Sequence, residues 1–411
     1  MTRASWKTIL AVAVILGAGL PAAAAGTAAA STAAPTAHMA GHTPAVPVFM
    51  GQLGGVSATS AADAWAVGDQ CPSCGNPGTL ILHWNGTRWS TVPSPDPGST
   101  ENVLNDVAAV SSSDAWAVGS YGNSVCSQSA TVILHWNGTK WSQVKSPNAG
   151  ACNRLDGINA TSATSAWAVG QTCTFAVNHC HTLIVEWNGT AWSRVASPNP
   201  GAESRFLASV SADSPSDAWA AGAYCTSSAL GTCPAQDTML LHWNGTKWSQ
   251  VPSPNPGPLS ALDGVTAVSP TDAWAVGSYC TTTSCALTDT LLLHWNGTKW
   301  SQVSSPNPGP IENSLSGVTA VSPTDVWVSG DYCAPKCEGH VRTLIMHWNG
   351  SAWTTVSSPD PGNINFLSGV AATTSGNAWT VGGTCLTSVC GLNTNALVLH
   401  WNGTAWTVSS G

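Results

Sequence analysis

Between Gly264 and Ser304 apolar and polar residues alternate in four short runs, broken each time by residues that favour turns. Alternation with a period of two is the signature of a strand with one face buried. The runs predict strands a, Gly264 to Ser269; b, Ala273 to Tyr279; c, Thr290 to Trp295; and d, Thr298 to Ser304. Ser-Pro-Thr-Asp separates a from b, a type I turn sequence in which Pro presets φ and Asp can bond its own backbone. Asn-Gly separates c from d, a two-residue hairpin signal. That hairpin sets Trp295 opposite Thr298, His294 opposite Lys299 and Leu293 opposite Trp300, so Trp295, Leu293 and Trp300 share one face.

The pattern recurs seven times. Ala-Trp-x-x-Gly or a close variant has its Trp at 65, 116, 167, 219, 274, 327 and 379, with spacings of 51, 51, 52, 55, 53 and 52. Trp-Asn-Gly-(Thr/Ser)-x-Trp starts at Trp84, Trp136, Trp187, Trp243, Trp295, Trp348 and Trp401. These motifs account for every Trp except Trp6. A four-stranded sheet apolar on both faces cannot stand alone, and stacking such sheets around an axis buries both faces. The expected fold is all-β: a seven-bladed β-propeller of four-stranded antiparallel blades, at about 53–95, 104–147, 155–198, 207–254, 262–306, 315–359 and 367–411. Large aromatics fill the widening gap between blades.

His-Trp-Asn-Gly-Thr-x-Trp and Ser-Pro-Asn-Pro-Gly resemble the repeats of secreted bacterial β-propellers of the kelch, galactose-oxidase-central-domain and Asp-box kind, over about residues 52–411. The resemblance implies the fold and no activity.

Arg3 and Lys7, then an uncharged run from Ile9 to Leu20, then Pro21 and Ala22 to Ala25 read as a secretory signal over residues 1–25. Residues 26–48, rich in Ala, Thr and Pro, read as a disordered linker before the propeller at 49–411. No hydrophobic tail follows the last repeat, so release as an extracellular monomer without a membrane anchor is expected. The net charge of −8, with 8% charged residues, leaves no basic surface for nucleic acid.

Fourteen Cys in an exported chain read as disulfides. Pairs follow strand b: Cys71 with Cys74, Cys173 with Cys180, Cys225 with Cys233, Cys280 with Cys285, Cys333 with Cys337, and Cys385 with Cys390. In the second repeat Cys126 follows strand b while Cys152 follows strand d. The two connections emerge on one face, so a Cys126–Cys152 bond is expected. Registered partners favour structural bonds over a redox Cys-x-x-Cys at 71–74 or a metal knot at Asn178-His179-Cys180-His181, and neither a metal nor a cofactor is expected.

His precedes the Trp of strand c at 83, 135, 242, 294, 347 and 400, with Glu186 in the third repeat. Six copies around a ring cannot converge on one reaction, so they read as hydrogen-bonding residues of the outer strands. The seven Asn-Gly-(Thr/Ser) triplets match glycosylation sequons but are read as turns. Departures from the repeat collect in the connections from d to a: Glu101, Asp106, Arg154, Asp156, Glu203, Arg205, Asp263 and Glu312. These are the candidate ligand-binding residues, on the face that carries the disulfide loops. The four Tyr, at 121, 224, 279 and 332, share one repeat position, and few Arg remain, which argues against a sialidase-like site; paired Cys argue against a copper oxidase. A binding module for an extracellular carbohydrate or protein is expected. The alternatives are a glycoside hydrolase or lyase using two of Glu101, Glu203 and Glu312, and a purely structural surface protein.

Overall fold

A computed structural model describes residues 49–411 except 71–76, 124–127, 175–178, 202–203, 230–231, 334–338, 389, 391–393 and 410–411. Val48–Gly411 forms one compact unit. Among the described residues there is no helix, and the strands repeat as antiparallel a-b-c-d meanders. In the fifth repeat they run Ser260–Ser269, Asp272–Cys280, Thr288–Trp295 and Trp300–Gln302. Strand b is buried along nearly its whole length, as its Ala-Trp-Ala-Val-Gly sequence dictates. Its glycine admits strand a: a Cβ on Gly277 would lie 2.1 Å from the Ala261 carbonyl oxygen. The matching glycines of the other repeats meet the same obstacle.

Strand a carries a bulge after its Leu in every repeat, as between Leu262 and Gly264. The extra residue falls at Gly54, Asn105, Asp156, Ala208, Asp263, Ser316 and Ser368.

The c–d hairpin differs from the sequence expectation. Trp295 pairs with Trp300, and His294 with Ser301 rather than Lys299, so the loop holds four residues and strand d starts later. A two-residue type I′ turn needs positive φ at both centres, and only the glycine has it, at 87° for Gly297. The Asn side chain closes the loop instead. Asn296 Oδ1 accepts from Thr298 N at 3.0 Å, Thr298 Oγ1 at 2.8 Å and Lys299 N at 3.0 Å, a cage repeated in all seven copies.

Each a strand packs beside the a strand of the next repeat, and Ile364–Thr374 packs beside Gln52–Ser60, so the series closes on itself. The seams are aromatic. Trp65 of strand b meets Trp136 and Trp141 of the following repeat at 4.9 and 5.2 Å, the second edge-on at 87°. Trp379 of the last repeat meets Trp84 and Trp89 of the first at 5.0 and 5.2 Å. Edge-to-face pairs of this kind contribute about 0.5–1.5 kcal/mol beyond their buried area.

Disulfides join Cys173 to Cys180, Cys225 to Cys233, Cys280 to Cys285 and Cys385 to Cys390. Cys152 and Cys333 are also disulfide-bonded. The expected partners Cys126 and Cys337, and the pair Cys71 and Cys74, lie outside the described residues.

Candidate functional site

Repeat symmetry separates the candidate residues into two kinds. Four repeats begin strand a with a buried Asn that ties down the preceding loop: Asn313 Oδ1 accepts from Gly309 N at 2.7 Å and its Nδ2 donates to Gly309 O at 2.8 Å. Asn102, Asn153 and Asn365 do the same. In the fourth repeat Arg205 stands there, 8% exposed, and donates from Nε to Pro200 O at 2.6 Å and from Nη2 to Gly201 O at 2.5 Å. Arg205 therefore holds a loop. Asp106 is likewise spent on the scaffold, its two oxygens accepting from Val107 N at 2.9 Å and from Ile158 N of the next inner strand at 3.0 Å.

Arg154 and Asp156 form an ion pair of 2.6 Å on the inner strand Cys152–Ser162. Asp156 is buried, and its Oδ2 and the Arg154 Nε have no hydrogen-bond partner. Glu101 is buried immediately before strand Asn102–Ser111, and its carbonyl accepts from Gly122 N at 2.9 Å. Glu203 lies outside the described residues.

Asp263 and Glu312 act on a third carboxyl that the sequence reading missed. Asp331 lies on strand Asp325–Cys333, paired with Ser314 of strand Asn313–Ser322. Burial raises its pKa to about 8, helped by the charges of Glu312 and Asp263 and opposed by a hydrogen bond from Ser314. Burial also raises Glu312. A bulge residue of one repeat and a position of the next thus bring two carboxyls within electrostatic range of a third, which is uncharged at neutral pH. The sequence signal was available: after the b-strand glycine the repeats carry Asp69, Ser120, Gln171, Ala223, Ser278, Asp331 and Gly383, a position free to vary because the fold does not use it in common.

The face assignment rests on backbone contacts. Thr288 N, at the end of the b–c connection, donates to Ile311 O in the d–a connection at 2.9 Å, and Thr288 bridges Glu312. The two kinds of connection therefore meet beside the carboxyls. A groove of about 390 Å³ lies elsewhere, on outer strands, lined by Val356, Ser358, Pro359, Trp401 and Trp406.

The repeated His residues serve the scaffold. His83, His135, His294 and His347 bond Asp63, Asp114, Asp272 and Asp325 at 2.7–2.9 Å, and His242 bonds Asp217. His400 bonds Asn377 at 2.8 Å. Where Glu186 replaces His, Ser165 replaces the Asp. Among the described residues no three His, Cys, Asp or Glu converge as metal ligands, and no helix is long and apolar enough to cross a membrane.

No protein-family model and no curated protein matches the sequence. Solved structures do match. A polysaccharide lyase of family PL25, an ulvan lyase bound to -[GlcA(1-4)Rha3S]-, aligns with a TM-score of 0.57 at 9% identity over 88% of this chain and 97% of that one. YCF48 bound to a D1 peptide aligns at 0.50 and 13% identity, over 85% and 94%. The GH74 xyloglucanase from Xanthomonas campestris aligns at 0.53 and 13% identity, over 88% of this chain and 55% of that one. All three are propellers. The fold is a β-propeller. At these identities the likeness extends to the fold alone.

Proposed function

We propose that the chain is a secreted β-propeller of seven blades, kin to the kelch and Asp-box kind, that binds an extracellular carbohydrate at the face where the b–c and d–a connections meet. The signal over residues 1–25, the linker over 26–48 and the disulfides support export. The observation that carries the binding assignment is the gathering of Asp263, Glu312 and Asp331 at positions the repeat leaves free. A protonated carboxyl donates a hydrogen bond while neighbouring carboxyl oxygens accept. That combination matches the hydroxyl groups of a sugar, each of which is both donor and acceptor. Glu101, Arg154, Asp156 and Glu203 supply further polar groups of the same proposed surface. Disulfides in the adjacent loops limit the ordering cost of binding.

One observation favours a second reading, a glycoside hydrolase or lyase. A carboxylic acid held protonated at neutral pH beside a second carboxyl is the kind of pair that acid–base cleavage of a glycosidic bond uses. Asp331 is the acid and Glu312 the base in that reading. A glycan array probed with the oxidised chain, with product analysis of each positive spot, separates the two. Binding without turnover, lost in Asp331→Asn, supports the module; cleavage abolished by Asp331→Asn or Glu312→Gln supports the enzyme. An array without signal, followed by capture of a peptide ligand or by none, would overturn the carbohydrate assignment.

A further inference from the structure

The a–b turn of the fourth repeat departs from all the others. The residue before the last of strand a is Thr59, Val110, Thr161, Val268, Val321 or Thr373 in six repeats and Asp213 in the fourth. The first repeat shows what a hydroxyl does there: Thr59 donates to Asp63 Oδ2 at 2.5 Å, while Asp63 Oδ1 bonds His83 at 2.7 Å. In the seventh repeat the bond runs the other way: Asn377 Nδ2 donates to Thr373 Oγ1 at 2.7 Å. Asp217 stands where Asp63 does, and His242 bonds its Oδ1.

Asp213 stands where Thr59 does, close enough to Asp217 to feel its charge. Yet Asp213 Oδ1 and Asp217 Oδ2 are both buried with no donor in reach. Two ionised carboxylates are acceptors only and cannot bond each other. We propose that Asp213 carries a proton that it donates to Asp217, replacing the hydroxyl of Thr59, and that this turn is a pH-sensitive latch between strands a and b of the fourth repeat. Loss of the proton leaves two anions side by side on buried oxygens and opens the turn, freeing Asp217 and with it His242.

The groups around Asp213 fit that role. Strand b presents Asp217, strand c presents His242 through Asp217, and the Ser214 hydroxyl bonds Asp213. The adjoining inner strands contribute Asn159, bonded to Ala212 N, and the backbone of Ala267, bonded to Ser211; both are uncharged. Burial, then the charge of Asp217, raises the Asp213 pKa, with Ser214 opposing. A folded chain that keeps a proton the unfolded chain has released loses stability as pH rises, from the ordinary Asp value of 3.8 up to the raised one.

Denaturant unfolding across acid, neutral and mildly alkaline pH tests the latch, with the oxidised chain and its Asp213→Thr and Asp213→Asn variants. Relative to either variant, the unmodified chain's unfolding constant should grow with pH by about tenfold for each unit of pKa elevation. Parallel pH profiles would overturn the proposal. An NMR titration of Cγ-labelled Asp in the unmodified chain reads the proton directly, with no dependence on the variants' folding. An Asp213 signal still protonated well above the ordinary Asp range supports the latch, and one that titrates at the ordinary value ends it.

Discussion

Ala396 donates its backbone N–H to the carbonyl oxygen of Phe49 at 2.8 Å, joining the last repeat to the residues just ahead of the first. In the six earlier repeats a Thr occupies the place of Ala396, and its N–H donates to the Asp or Asn side chain of the Ser-Pro-(Asp/Asn) linker that follows, as Thr290 does to Asn307 at 2.8 Å. In the seventh repeat the Phe49 carbonyl takes that place. Gly51 N donates to Thr394 O at 2.9 Å, and Met50 bridges Asn395.

A chain beginning at Gln52 therefore loses two hydrogen bonds that one beginning at Val48 retains. The expected cost is about 2 kcal/mol, at about 1 kcal/mol for each bond. Urea midpoints of the two chains measure it. Equal midpoints would mean that the aromatic seam at Trp379 and the inner strands hold the ring closed unaided.

The third repeat lacks the His–Asp pair, and burial raises the pKa of Glu186. A raised carboxyl pKa means stability that declines as pH climbs from 4.5 towards the raised value. The double change Glu186→His and Ser165→Asp should restore the pair, with a favourable coupling of about 1 kcal/mol over the sum of the single changes. It should also remove that decline. A double-mutant cycle in urea, repeated at acid and neutral pH, reads both effects; additive single changes would contradict them.

His400 is the repeated His with a neutral partner, and burial lowers its pKa below 6.5. The unfolded chain then takes up the proton first. Stability is complete above about pH 6.5 and is lost as pH falls towards the lowered value. Asn377→Asp should raise the His400 pKa and reduce this acid loss. Imidazole proton shifts in an NMR titration check it, and an unchanged His400 midpoint would refute the account.

Asp331 works in the opposite direction. Its pKa of about 8 keeps the folded carboxyl protonated where the unfolded one, near 3.8, is ionised. Stability referred to Asp331→Asn is greatest below the unfolded value and falls until pH passes about 8. Thermal midpoints of the two proteins should converge in acid and diverge towards pH 8. A constant difference would show that Asp331 titrates normally.

The regular part of the molecule was legible because it is stated seven times. Trp spacing, the a–b turn residues such as Ser-Pro-Thr-Asp at 269–272, and the b-strand glycine locate three of the four strands of each repeat. The c–d loop was misjudged by two residues, since Asn-Gly signals a tight turn only when both residues take positive φ, and the side-chain cage of Asn296 removes that need. The candidate site was only partly legible. Arg205 and Asp106 depart from the repeat yet bond their own scaffold. Asp331 sits within a strand, where charge was not sought, and its neighbours come from two repeats. Sequence offsets do not reveal that proximity.

The seams between repeats also make the molecule report on itself. Each carries one Trp from strand b with two from the next repeat, at centroid distances of 4.9–5.4 Å. Indoles this close and steeply inclined share their excited states, so every seam is a chiral chromophore whose circular-dichroism couplet exists only while the two repeats touch. Opening a single seam removes that seam's share of the couplet and leaves the rest, so the ring's partial openings can be counted optically with no label attached.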